Sequence, residues 1–585
     1  MSRLLPWKAG ATKLLAWIRR RVRTSEFWLV ALAIVIGAGA GMLAVFQSRI
    51  AHALQSNLYG IDVEQRLSAS LSLTLPQLLW LPVGGLALGL FTAAVRRRRT
   101  HPLIDVVEAN ALHGGRLSLT DSAIVCAQTL ISNGFGASVG LEAAYAQAAG
   151  AAASAVGRRL GLRRHDLRIL VGAGAGAAIG AAFGAPLTGA FYAFEIVIGS
   201  YTPSAIAPVA AAALASVLVA QIAGEAPYSI HVASQSSPDA YGYLLYAALG
   251  LVCAVIGIAI MRLVALAEVG VRNARIPIVA RPALGGGLLA GLALVSPQVL
   301  SSGHGALHLD LAMRATLSFL AMILLLKAAA SVVSLGFGFR GGLFFASLFL
   351  GSLVGQIYAR ALGLAGVELS PINAALVGMG ALAVAIVGGP LAMSLLVLET
   401  THDFGITAAT LAAALVASSV VRERFGYSFS TWRLHLRGET IRSARDVGWV
   451  RTLTAGRMMR KDTATLPASA TVAEFRRRFP LGSTSRVILL DDRERYAGLV
   501  MTASAYAESV GTDASVEDLA ISRDLALSPE MNIEEVMRVF DRTETDELAV
   551  LGPGHSVLGL LAESYVTRRY ARELEKVQQD LFGES

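Results

Sequence analysis

The chain has 585 residues, 54% of them hydrophobic and 16% charged, with a formal net charge of +9. A soluble protein carries about 25% charged residues, so the composition excludes an ordinary soluble enzyme and places most of the chain in lipid. The positive balance does not point to nucleic acid, because no basic patch is interleaved with exposed aromatics.

In chain order, residues 1–25 alternate Leu, Trp and Ile with Lys and Arg and lack an apolar core with a cleavage site. They read as an amphipathic helix on a membrane surface rather than a signal peptide. Apolar stretches near bilayer length follow, among them Trp28–Phe46, Leu78–Val95, Tyr243–Met261, Leu317–Val333 and Ile406–Val421. Basic clusters stand at their ends: Arg19–Arg21, Arg96–Arg99, Arg158, Arg159, Arg163 and Arg164. This is the positive-inside pattern and predicts a cytoplasmic N-terminus. Cys126 and Cys253 lie inside apolar segments, which predicts neither a disulfide framework nor a metal site. Apolar runs end near Arg437. The reading is a membrane part over 26–436, a linker over 437–450 and a cytoplasmic α+β part beyond it.

The membrane part repeats itself. Ser132–Ala144 reads SNGFGASVGLEAA and Ser334–Ala346 reads SLGFGFRGGLFFA, an offset of 202 residues. Val171–Glu195 and Val377–Glu399 then match at Pro186 and Pro390, and at Glu195 and Glu399, at an offset of 204. A duplicated membrane unit, here about 26–200 and 240–425, predicts a site at the midplane where the repeats meet. Each copy breaks at glycines just before a helix start. Two helix N-termini aimed inward hold an anion on unpaired N–H groups, weakly enough to release it.

These residues resemble the CLC family of chloride channels and chloride/proton exchangers. Gly140-Leu141-Glu142-Ala143, followed by Gln147 and Gly150, resembles the family's Gly-Arg-Glu-Gly-Pro segment. Gly342-Leu343-Phe344-Phe345-Ala346 resembles Gly-x-Phe-x-Pro, and Phe183-Gly-Ala-Pro-Leu187 with Glu195 resembles Phe-Asn-Ala-Pro-Leu. The resemblance implies an all-α polytopic fold with inverted repeats and a homodimer with one pore per subunit. Chloride, and in exchangers protons, would be the cargo, with no cofactor. It also implies a gating glutamate at Glu142 and anion contacts from Gly140, Leu141, Leu343 and Phe344. The alternative reading of Glu142 is a helix-capping carboxylate. On insertion scales a charge at the membrane centre costs about 2.5–3.5 kcal/mol.

Several positions depart from the family. The segment expected to give a central serine is Arg98–Pro102 or Pro102–Val106, and neither has serine in place. Fluoride, nitrate or another small anion is therefore an alternative cargo. Ile196 follows Glu195 where many exchangers have a second glutamate, so Glu195 is either a proton entry or a structural partner. The central tyrosine corresponds to Tyr427 or Ser430. Arg340, four residues before Phe344, either concentrates anions or pairs with an acid.

Residues 451–508 and 513–575 resemble a tandem CBS pair, with apolar strands Arg486–Leu490 and Glu547–Leu551 and charged helices Val472–Arg478 and Ile533–Arg542. The Asp that holds ribose in nucleotide-binding members is absent after both Gly498 and Gly559, which argues against an adenine nucleotide. A competing function is a membrane-anchored CBS regulator whose membrane part no longer conducts. No metal spacing, catalytic triad or phosphate loop supports an enzyme.

Overall fold

Among the described residues of the computed structural model, eight helices are long and apolar enough to cross a membrane. The description covers residues 21, 25–62, 65–99, 101–226, 228–230, 238–312, 315–429, 431–432 and 453–570. The expected N-terminal helix within 1–25, the linker over 437–450 and Ser430 lie outside the described residues. The chain divides into two compact units, residues 1–446 and 447–585.

The first unit is helical. One half holds α1 (Glu26–Tyr59), α2 (Trp80–Arg98), α3 (Val106–Leu112), α4 (Leu119–Gly134), α5 (Glu142–Arg159), α6 (Arg164–Phe183), α7 (Pro186–Tyr192) and α8 (Pro203–Ile222). The other holds α9 (Ala240–Asn273), α10 (Ala280–Val295), α11 (His304–Ala312), α12 (Leu317–Gly336), α13 (Phe344–Leu364), α14 (Pro371–Val387), α15 (Pro390–Thr401) and α16 (Phe404–Arg424). The first repeat therefore runs on to Ile222 rather than to about 200, because α8 is the counterpart of α16. The openers α1 and α9 each have 34 residues. That is about 51 Å at 1.5 Å per residue, well beyond the hydrocarbon core, so both must tilt or project.

The two halves meet through equivalent residues. Gly140 and Gly342 form an antiparallel bridge, with N–H donors at 2.9 and 3.3 Å from the partner carbonyl. Equivalent residues paired antiparallel lie about a local twofold axis, as inverted repeats require. The same axis relates two more contacts: Arg340 N–H donates to Ser132 Oγ at 2.9 Å, and Ser138 N–H donates to Ser334 Oγ at 3.0 Å. Where α2 crosses α10, a Cβ on Gly85 would strike the Pro282 carbonyl and one on Gly286 would strike that of Leu81. Small residues let these backbones touch. Large apolar side chains such as Val35, Phe46, Ile222, Leu244 and Leu266 point outward, as lipid contact requires.

The second unit is α+β. Parallel β1 (Thr465–Pro467) and antiparallel β3 (Tyr496–Met501) flank β2 (Arg486–Leu490), and β4 (Ala526–Leu527) and β6 (Val557–Ala562) flank β5 (Glu547–Leu551) in the same way. Each sheet carries one packed helix with a side-chain N-cap, Thr471 for Val472–Arg478 and Asn532 for Ile533–Thr543. This is the repeated α+β pattern expected of a tandem CBS pair. The opening helix Ala455–Met458 packs with Leu527, Ile533 and Phe540 of the second module, while Val516 packs with Leu466 and Phe475 of the first. The modules thus exchange their leading segments instead of being contiguous in sequence. Buried Arg486 ties them together, 2.9 Å from Asp546 and 3.5 Å from Glu547. Arg486→Gln strands the Glu547 carboxylate and should destabilise this unit by about 2–4 kcal/mol. Limited proteolysis of the full chain in rising urea should show the C-terminal unit cut earlier.

Candidate functional site

Two loops build the site, one ahead of α5 and one ahead of α13. Helix α4 ends at Gly134, and the chain reverses through Gly136, whose φ of +87° suits only glycine. Tyr59 donates to the Phe135 carbonyl at 2.8 Å, and Asn133 Nδ2 donates to the Val139 carbonyl at 2.7 Å. With the Ser132 and Ser334 contacts, these bonds fix the loops on which α5 and α13 begin.

Neither α5 nor α13 has a side-chain cap; their N-cap residues are Leu141 and Leu343. Their first N–H groups are left for other acceptors. The other pair of helices that begin at the repeat interface is treated differently. Glu195 accepts from the N–H groups of Leu391 and Ala392 at 3.2 and 2.8 Å, at the start of α15. Its repeat counterpart Glu399 accepts from those of Leu187 and Thr188 at 2.7 and 2.8 Å, at the start of α7. So one pair of opposed helix ends is closed by carboxylates in exchange, and the other stays open.

Glu142 stands at the open pair. It is the first residue of α5 and is buried. Its carboxylate folds back over the bridge, so that a Cβ on Gly140 would collide with it. The carboxylate faces its own backbone N–H and that of Phe345, while Oε2 has no hydrogen-bond partner among the described residues. Two cavities meet at this side chain. One, of about 100 Å³, is lined by His52, Arg66, Leu141, Tyr145, Tyr228 and His304 among others. The second, of about 120 Å³, is lined by Asp105, Gln147, Tyr192, Arg340, Leu343, Phe344 and Phe429 among others. Among the described residues, Glu142 is the one that lines both.

The structure thus brings together Gly140, Leu141, Glu142, Leu343 and Phe344. Arg340 joins them in the second cavity. Tyr427 does not: it lines a separate cavity with Glu195, Gly389 and Arg422, its ring 5.4 Å from that of Trp432. Phe429, two residues on, is the side chain that reaches the second cavity, so a tyrosine at 427 gives this site no hydroxyl. Among the described residues, the phenol that lines the second cavity is that of Tyr192, whose ring lies 6.1 Å from that of Phe344. Tyr192 carried no repeat signal, since its counterpart at offset 204 is Leu396. The segment expected to carry the serine holds Asp105, which caps α3 by accepting the Glu108 N–H at 2.8 Å.

Lys327 was also not legible as functional. It is fully buried in α12, and its ammonium donates to the carbonyls of Val299 and Ser301 at 3.0 and 2.8 Å. No carboxylate pairs with it among the described residues. It lies behind Ser301, which lines the first cavity, and close enough to His304 to act on its charge. When protonated, an ammonium there draws anions toward Glu142. Lys327→Gln keeps donors for the two carbonyls and removes the charge. Anion uptake should weaken about tenfold in apparent affinity, read from initial flux against anion concentration.

A family model described as voltage gated chloride channel matches residues 84–422. A protein of Ralstonia nicotianae, named as a ClcB-like chloride channel protein, is 31% identical over 323 residues, covering 53% of this chain and 74% of that one. The solved structure of a slow cyanobacterial Cl⁻/H⁺ antiporter is similar with a TM-score of 0.61 at 22% identity, covering 70% of this chain and 97% of that one. A eukaryotic CLC transporter is similar with a TM-score of 0.59 at 15% identity, covering 94% and 98%.

Proposed function

The chain belongs to the voltage-gated chloride channel family, and from that premise we propose that it carries chloride across a membrane through the two cavities that meet at Glu142. The observation that carries this reading is the single carboxylate between the cavities, seated at two uncapped helix ends. Carboxylate and chloride are both monoanions and compete for the same N–H groups. When Glu142 holds the place the path is shut. When its proton arrives, or chloride displaces it, the path opens.

The remaining contacts fit this role. Arg66 at the first cavity, with Lys327 behind Ser301, attracts anions against the charge of Glu225, while the N–H groups of Leu343 and Phe344 bind without a full charge, as release requires. The basic clusters at Arg96–Arg99 and Arg158–Arg164 favour the cytoplasm for their ends of α2, α5 and α6. The family resemblance supports a homodimer with one path per subunit. Reconstitution into liposomes loaded with chloride tests the reading: chloride should leave when a counter-charge is supplied. Absence of efflux of chloride overturns it, and efflux of fluoride in its place would reassign the cargo.

A further inference from the structure

We propose that Asp105, relayed by the Tyr192 hydroxyl, delivers protons to Glu142 from the second cavity, in the role that Glu195 is not free to play. The inference rests on the transport reading above.

Glu195 is committed elsewhere. Both of its carboxylate oxygens accept backbone N–H groups of α15, and Ile196 beside it cannot carry a proton. Among the described residues, the acid that shares the second cavity with Glu142 is Asp105, while Glu225 shares the first. One of its oxygens caps α3, and the other has no partner among the described residues. A carboxylate in the path of an anion is a burden on conduction, so a second role is needed to explain it.

The geometry around Asp105 is fixed from two sides. Gln147 of α5, five residues after Glu142, donates to the Ile104 carbonyl at 3.0 Å and to Ser122 Oγ at 2.9 Å. Asn110 of α3 donates to the Val197 carbonyl at 2.9 Å, in the π turn that continues α7 beyond Tyr192. These two bonds tie Asp105 to the helix that carries Glu142 and to the one that carries Tyr192. The Tyr192 hydroxyl has no hydrogen-bond partner among the described residues and feels the charges of both Glu142 and Asp105. Among the described residues, the charged and titratable groups facing this cavity are Asp105, Glu142, Tyr192 and Arg340. Its volume of about 120 Å³ holds several waters.

The proton balance is simple. Protonated Asp105 gives its proton, directly or through a water, to the phenol oxygen of Tyr192. The phenol releases its own hydrogen toward the Glu142 carboxylate and stays neutral. Asp105 is left ionised and reloads from the cavity, and protonated Glu142 leaves the helix ends to the anion.

The test measures chloride efflux and proton uptake together in liposomes holding the full chain. The wild-type protein should move protons in fixed ratio to chloride. Asp105→Asn keeps the oxygen that caps α3 but carries no proton, and the proton-to-chloride ratio should fall about tenfold or more. Tyr192→Phe should lower the ratio as well, and Asp105→Glu should restore it. An unchanged ratio in Asp105→Asn overturns the proposal, because a mere cap is conserved there. Wild-type chloride flux with no proton movement also overturns it and leaves the transport reading standing. No chloride flux at all overturns that reading and this one with it.

Discussion

Glu142→Ala protein is expected to pass chloride without moving protons, at a rate that no longer follows pH. The reasoning starts from the bridge of Gly140 and Gly342. The side chain that folds back over this bridge is the only one among the described residues that lines both cavities. Cutting it to a methyl group joins the two spaces, and alanine is well suited to the first turn of a helix. The N–H groups that faced the carboxylate are then left to chloride. Among the described residues no other acid lines both cavities, so none of them remains to take a proton across the junction. The proton-to-chloride ratio should drop by about a hundredfold, the scale on which positioned acid–base groups act. Parallel recordings of chloride and pH in liposomes check it. Persistent coupling, or a flux that still rises with acid, would remove Glu142 from its assigned place.

How much of this was legible in the sequence depends on symmetry. The repeats at offsets of 202 and 204 marked Glu142, Phe344, Glu195 and Glu399, and the twofold contacts of Gly140 with Gly342 and of Ser132 with Arg340 follow from the same pattern. What the repeats do not share was hidden. Tyr192 faces Leu396 in the alignment, Lys327 faces Val125, and Asp105 lies in a segment with no copied motif. Their roles depend on which cavity a helix face meets, and that is set by packing between elements far apart in the chain. Tyr427 shows the converse. A tyrosine near the end of the membrane part invited a role at the anion, yet its neighbour Phe429 is turned inward, because the chain after α16 leaves the helix at Phe425 and Gly426. In the second unit the strands were plain from their apolar runs. The exchange of leading segments was not, since nothing local tells Ala455–Met458 which sheet it will cover.

The second large effect concerns Glu195 and Glu399, and it separates a structural role from a proton role. Each carboxylate closes the start of a helix in the opposite repeat with two backbone N–H bonds, and Glu399 adds the Thr188 hydroxyl at 2.7 Å. A charged acceptor at a helix N-terminus gains from both the hydrogen bonds and the dipole. Removing it should cost about 2–4 kcal/mol at either position. Glu195→Ala and Glu399→Ala should therefore lower the unfolding temperature in detergent by similar amounts. The double variant should lose less than the sum, since α7 and α15 rest on each other and share the loss. The proton-to-chloride ratio of each single variant that still folds should match the wild type. If Glu195→Ala instead kept the unfolding temperature and lost proton movement, Glu195 rather than Asp105 would be the acid that feeds Glu142. Symmetry sharpens the comparison: Glu399 accepts the same pair of backbone N–H groups on the other side of the twofold axis, with the Thr188 hydroxyl added, so a loss of proton movement confined to Glu195→Ala measures what Glu195 does beyond capping.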